Sequence, residues 1–365
     1  MNLSQLKIWA CAASLVTASA LSAQAQGTHS SNQPGISVIA STVPANEDVN
    51  PYGIVRVPRS SGSLVAGNIL ISNFNNSANL QGTGTTIVQI APDGTTSSFA
   101  QIDASKLPGP CPGGVGLTTA LTVLRAGWVI VGSLPTSDGT SATAQAGCLL
   151  VLDNMGNVAE TFYGSLINGP WDMTAFDSGS SATLFVTNVL NGTVAGGGKV
   201  VHGGTVVRLT LDVKSKTPPF LQSMTVIGSG FSERTDPMAL VIGPTGLGLD
   251  ADAETLYVAD SLNNRITAIP VPLTRDTSAG IGAVVSQGGS LNDPLGLTVA
   301  NGDILTVNGN NGYLVETTPD GEQIKRTLLD SSGNPPGTGA LFGLIVVHRS
   351  VYYVDDVTNT LNLFR

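Results

Sequence analysis

Six short apolar runs in this chain each end on a small polar residue: Asn73, Ser133, Asn188, Asp260, Asn308 and Asp355. Gathered in a ring, such oxygens are what Ca²⁺ coordinates. The candidate metal set takes four of these with Asp172: Asp172, Asn188, Asp260, Asn308 and Asp355. The competing role is local, because Asn and Asp cap turns through their own side-chain hydrogen bonds. A residue that recurs with a repeat usually serves the repeat, which favours the cap. A second group, Tyr52, Trp171 and Asp172, forms the candidate ligand face. An aromatic ring there would stack on a sugar or peptide, or else pack between neighbouring units.

Other chemistry is poorly represented. Asp250-Ala251-Asp252-Ala253-Glu254 resembles the start of a calcium loop, but Thr255 stands where glycine is needed and Ser261 where the bidentate Glu belongs. The three histidines, His29, His202 and His348, are scattered and cannot build a multi-histidine zinc site. There is no G-x-S-x-G elbow, phosphate-binding loop, dinucleotide fingerprint or H-E-x-x-H.

The elements that position these residues form a repeat of about fifty residues. Each unit opens on a Pro or Gly motif, as in Asn50-Pro51-Tyr52-Gly53, Gly169-Pro170-Trp171-Asp172, Gly243-Pro244-Thr245-Gly246 and Asp293-Pro294-Leu295-Gly296. Weaker openings are Gly114-Val115-Gly116 and Leu341-Phe342-Gly343. Three apolar strands follow, and the third closes in hairpins such as Pro92-Asp93-Gly94, Asn154-Met155-Gly156 and Pro319-Asp320-Gly321. Asp-Gly and Asn-x-Gly supply the positive φ that such turns require. Evenly spaced strands with Gly and Pro turns, and no sustained helical period, predict an all-β six-bladed propeller. The last unit stops after its third strand at Arg365, while Ile36–Ser41 stands alone before the first. That N-terminal strand is therefore expected to complete the last blade and close the ring, leaving no exposed edge there.

The stretch Pro244 to Asp250, then Thr255-Leu256-Tyr257-Val258-Ala259-Asp260-Ser261 and Asn263-Asn264-Arg265-Ile266, resembles an NHL repeat. Asn308 to Leu314 and Asp355 to Leu361 keep the spacing without the Arg. The layout is similar to that of NHL-type, lactonase-like and strictosidine-synthase-like six-bladed propellers, over most of the chain after about Asn50. The resemblance implies fold more strongly than function. It also brings in metal-dependent lactonases, which place Asp, Asn and Glu near the pore, although no inner-strand Glu stands out here. Arg265 is expected to bond turn carbonyls or a neighbouring blade, and Trp128 to lie in the core.

Three insertions, Asn75 to Gly84, Pro135 to Gly147 and Asn191 to Gly204, interrupt the turns after second strands and should project on one face, as the walls of a binding site. Cys111 and Cys148 flank one of them and are expected to form a disulfide that ties the wall down.

Composition sets the compartment and excludes some partners. Lys7 precedes an apolar small-residue run to Leu21, and Ala23-Gln24-Ala25 fits a signal-peptidase site. Residues 1–25 are thus read as a signal peptide, 26–35 as a flexible linker and 36–365 as the propeller. The protein would be periplasmic or secreted. Only 11 % of residues are charged and the net charge is −9 with no basic cluster, which argues against nucleic acid. No run is long enough for a stable membrane span. The expectation is a monomeric binding or scaffold module that takes a small molecule or a protein on its loop-rich face. The alternative is a Ca²⁺-dependent lactonase or hydrolase.

Overall fold

The computed structural model describes residues 35–365. The proposed signal peptide and most of the linker lie outside the described residues. Six antiparallel sheets follow one another along the chain and surround a central axis. Blade 1 comprises Val49–Arg56, Ile69–Asn75, Thr86–Ile90 and Thr96–Gln101. Blade 2 comprises Leu117–Val123, Val129–Ser133, Cys148–Leu152 and Val158–Phe162. Blade 3 is larger: Pro170–Asp177, Ser181–Asn188, Val201–Asp212, Phe220–Asp236 and a fifth strand, Leu240–Ile242. Blade 4 is Pro244–Asp250, Thr255–Asp260, Arg265–Pro270 and Ala283–Gln287, and blade 5 is Pro294–Ala300, Asp303–Asn308, Tyr313–Thr317 and Gln323–Leu328. Blade 6 takes Leu341–Val347, Ser350–Asp355 and Thr360–Phe364 from the C-terminal end and Ile36–Ser41 from the N-terminal end.

That last pairing is the closure expected from the unmatched strands. Ile36 lies opposite Phe364 and Ser41 opposite Thr360, and the Arg365 N–H donates to the Gly35 carbonyl. The first strand of each blade runs along the axis, and each of these six inner strands contacts both neighbours in the ring. Gly94, Gly156 and Gly321 have φ of 88°, 88° and 94°, as the hairpins closing the third strands require.

Alternation along the strands buries one set of aliphatic side chains against the preceding blade and another against the following one. The apolar core is accordingly a series of layers between blades. Leu70, Ile87 and Leu150 lie between blades 1 and 2, Ile130, Leu184 and Val207 between 2 and 3, and Phe185, Val206 and Leu256 between 3 and 4. Hydroxyls staple the inner strands together. Ser72 Oγ accepts from the Gly53 N–H and donates to the Thr118 carbonyl of the next blade, at 2.7 Å. Thr187 Oγ1 does the same between Asp172 and Thr245.

Cys111 and Cys148 form a disulfide, as expected from the sequence. It joins the segment leading into blade 2 to that blade's third strand and is the bond of an oxidising compartment. Among the described residues, no helix is long and apolar enough to cross a membrane.

Candidate functional site

The six polar residues occupy equivalent places. Each pairs with a residue at the start of the inner strand of its own blade: Asn73 with Pro51, Ser133 with Leu117, Asn188 with Pro170, Asp260 with Pro244, Asn308 with Pro294 and Asp355 with Leu341. All are buried, and their hydrogen bonds are mainly to nearby turns. Asn73 Nδ2 donates to the Thr42 carbonyl, and Asn308 Nδ2 to the Ser290 carbonyl and Asn311 Oδ1. Ser133 Oγ accepts from the Gly116 N–H, while Asp355 Oδ1 accepts from the Thr358 N–H. Asp260 receives two bonds from Asn263 and an ion pair from Arg265 at 2.6 Å. Arg265 thus binds a carboxylate of its own blade rather than the turn carbonyls or neighbouring blade expected from the sequence.

Tyr52 and Trp171 do not face solvent. Tyr52 stacks on Phe342 of blade 6 at 3.8 Å between ring centroids and on Phe74 at 4.5 Å, while Trp171 meets Phe74 edge-on at 5.5 Å. Trp171 comes from blade 3 and reaches Tyr52 at 6.0 Å, so the cluster crosses the axis instead of lying between adjacent blades. Burial holds the Tyr52 hydroxyl well above the usual range, and the carboxylates of Asp356 and Asp293 add to that. Leu134, Val189, Leu240 and Val241 pack on the same cluster.

Leu240 belongs to a roof that no sequence motif announces. The fourth strand of blade 3 runs on to Asp236 and returns as Leu240–Ile242, with Arg234 opposite Ile242. The turn is held by Asp236, which accepts from the Met238 and Ala239 N–H groups and pairs with Arg234 at 2.7 Å. Leu240 is fixed at φ 60°, a costly conformation for a leucine, with its side chain fully buried. The three insertions meet this hairpin. Gln81 Nε2 donates to the Met238 carbonyl at 3.1 Å, and the Thr136 N–H donates to the Gly82 carbonyl. Glu233 Oε1 accepts from Thr193 Oγ1 and the Asn191 N–H. Its carboxyl is pushed up to about 7 by burial. The insertions therefore share one face, as expected, but they combine as a lid over the axis. The third strand of blade 3 also starts at Val201, inside the segment expected to be loop.

Below the aromatic cluster the axis opens. Every inner strand has a register shift just after the residue that pairs with the polar position of its blade, so two successive residues can turn toward the axis. The first tier is Tyr52, Thr118, Trp171, Thr245, Leu295 and Phe342; the second is Gly53, Thr119, Asp172, Gly246, Gly296 and Gly343. A Cβ at Gly246, Gly296 or Gly343 would strike the carbonyl of Leu295, Phe342 or Tyr52 in the next blade, so glycine permits the inner strands to touch. Blades 2 and 3 depart from this pattern, with Thr119 and Asp172. Asp172 Oδ2 accepts from the Leu247 N–H at 2.9 Å, and the carboxylate lines a channel of about 200 Å³ that widens away from the lid. Burial pushes this acid up to about 7, against the lowering effect of its backbone hydrogen bonds.

No family model and no curated protein matches the chain. Several solved structures share its fold. A gluconolactonase from Xanthomonas campestris is 12 % identical, with a TM-score of 0.53 over 90 % of this chain and 88 % of that one. Regucalcin from Agrobacterium tumefaciens, a calcium-binding protein, is 13 % identical, with a TM-score of 0.55 over 89 % and 92 %. The PQQ-bound aldose sugar dehydrogenase of Streptomyces coelicolor is 15 % identical, with a TM-score of 0.53 over 90 % and 97 %. The chain is a six-bladed propeller similar to these, at identities that speak for the fold alone.

The donor set expected for calcium does not fit that ion. Ca²⁺ needs six to eight converging oxygens. Asp260 is already neutralised by Arg265, and Asp355 stands beside Asp330, which raises its pKa further after burial has done so. Of the five candidates only Asp172 lines the channel. Among the described residues, no three His, Cys, Asp or Glu side chains converge on a metal position.

Proposed function

We propose that this protein is an exported, non-catalytic binding module that offers the lidded end of its propeller to a protein partner. The observation behind this reading is the closure of the axis at that end. Tyr52, Phe74, Trp171 and Phe342 fill the mouth of the axis and the hairpin ending in Leu240–Ile242 covers it. Met238 tips the hairpin at 87 % exposure, and the partly exposed Leu80 precedes the Gln81 that binds the Met238 carbonyl. Exposed apolar side chains on a braced loop surface suit a protein contact. The disulfide and the N-terminal segment support export.

The test places a photo-crosslinking residue at Met238, at Leu80 and, as a control, at Val284 on the outer strand of blade 4, in cells that make and export the protein. The expected outcome is one common adduct from the first two positions and none from the third. Lactone or ester hydrolysis by the purified protein that needs Ca²⁺ and stops in EDTA would instead establish the hydrolase reading and overturn this one.

A further inference from the structure

The axial channel on the other side of the aromatic cluster is a distinct feature. Its second tier is glycine in four blades, where nothing larger fits between inner strands. Blade 3 places a carboxylate there that is 9 % exposed, and among the described residues no other ionisable side chain lines the channel. A single N–H, that of Leu247, is the one hydrogen bond the side chain accepts from another blade, and it occupies Oδ2. A buried carboxylate with no cation beside it is expensive, and a fold that needed only to join blades 3 and 4 could use glycine as four other blades do. The carboxylate also faces space. Leu121, Met173, Leu247, Leu297 and Leu344 line the channel only at the edges of their buried side chains, Thr119 stands at the tier of Asp172, and Thr122, Thr174 and Thr298 add hydroxyls further along. The channel is thus of mixed lining, with several hydroxyls and one carboxylate converging on a space large enough for a small molecule.

We propose that this channel binds a small primary ammonium compound with a short body, its cationic head on Asp172 and its body among the leucines and threonines of the lining. The chemistry of the walls selects that class. A divalent metal would need several hard oxygens where this channel presents one carboxylate. A guanidinium would need both carboxylate oxygens in a fork, and Oδ2 is engaged by Leu247. An ammonium group needs one strong acceptor and a hydroxyl or two, which Asp172 and the threonines provide. An anion would meet Asp172 with no compensating charge.

The site is independent of the lidded face, so its failure leaves the binding-module reading standing. The experiment is calorimetric titration of the purified protein with butylammonium chloride, and with butan-1-ol and butyrate as probes of similar length. Saturable one-to-one binding of butylammonium is expected, with butan-1-ol weaker by roughly tenfold or more and no binding of butyrate. Asp172→Asn should lose roughly tenfold or more for butylammonium while its melting temperature stays level or rises. Thr298→Trp, near the wide end, should block access without touching the carboxylate, and it keeps the test decisive if the first variant folds poorly. Absence of butylammonium binding to the wild type, equal binding of butan-1-ol, or an Asp172→Asn variant that binds as well as the wild type would overturn the proposal.

Discussion

The two ends of the propeller axis are built by the same six inner strands and yet differ in kind. At the lidded end the first tier carries Tyr52, Trp171, Leu295 and Phe342, whose side chains fill the centre. One tier further, four glycines leave the centre empty and Asp172 stands in it. Beyond that the strands become progressively more exposed, as at Ala175, Thr298 and Ile345, and the channel widens. Two adjacent residues per strand therefore decide which end is closed. The repeat fixes where the backbone goes, and the side chains at these two tiers fix whether the axis is a core or a cavity.

The sharpest way to break this contrast is to remove the plug. Trp171 is 2 % exposed and meets both Tyr52 and Phe74. Trp171→Ala should cost about 3–5 kcal/mol by lost burial and the void left behind. The melting temperature should fall by several degrees, and an apolar dye should gain access to the axis from the lidded end. If the variant melts with the wild type, the cluster is not the closure described here.

Protonation gives a second test, of intermediate size. Asp172 is raised to about 7 by burial, whereas the unfolded chain titrates near the ordinary value, about 3.9. The folded form thus keeps a proton that the unfolded form releases. That contribution is complete below about pH 4 and is lost as pH rises through about 7, on the order of 4 kcal/mol if the full shift is expressed. Asp172→Asn cannot titrate, so its melting temperature should fall less than that of the wild type between pH 4 and pH 8. Glu233→Gln should flatten the profile for the same reason at the lidded end, since Glu233 is also raised to about 7 by burial. Parallel profiles for the wild type and Asp172→Asn would show that the channel carboxylate is hydrated and unperturbed.

Much of this is legible in the residues, and the parts that are not have a common cause. The Pro or Gly openings and the Asp-Gly hairpins recur locally, so six blades, the closing strand Ile36–Ser41 and the shared face of the insertions can be read from spacing alone. The Cys111–Cys148 pair follows from compartment and position. The destination of Tyr52 and Trp171 depends on a meeting across the axis between residues far apart in the chain, set by the register shifts at the start of their two inner strands. No local pattern records that meeting. The roof escapes the strand pattern because Gly228 and Gly230 interrupt the alternation of the strand that carries it. Asp260 has the look of a metal candidate because its spacing matches the other blades, although Arg265 five residues later is its partner.

The smallest expected effect concerns the boundary between the tiers. Gly343 lies where blade 6 meets blade 1, and a methyl there would press on the Tyr52 carbonyl and on Ile54 Cγ2 at 2.7 Å. Gly343→Ala should cost about 1–3 kcal/mol through overpacking. The strain has a direction: it pushes the inner strand of blade 1 outward and carries Tyr52 away from Phe342, so the lidded end should loosen although the substitution lies below it. Hydrogen exchange at Leu240–Ile242 should then rise while the outer strands of blades 4 and 5 stay protected. Uniform loss of protection across all six blades would mean that the ring answers as one unit, and that closure at one end is not separable from the channel at the other.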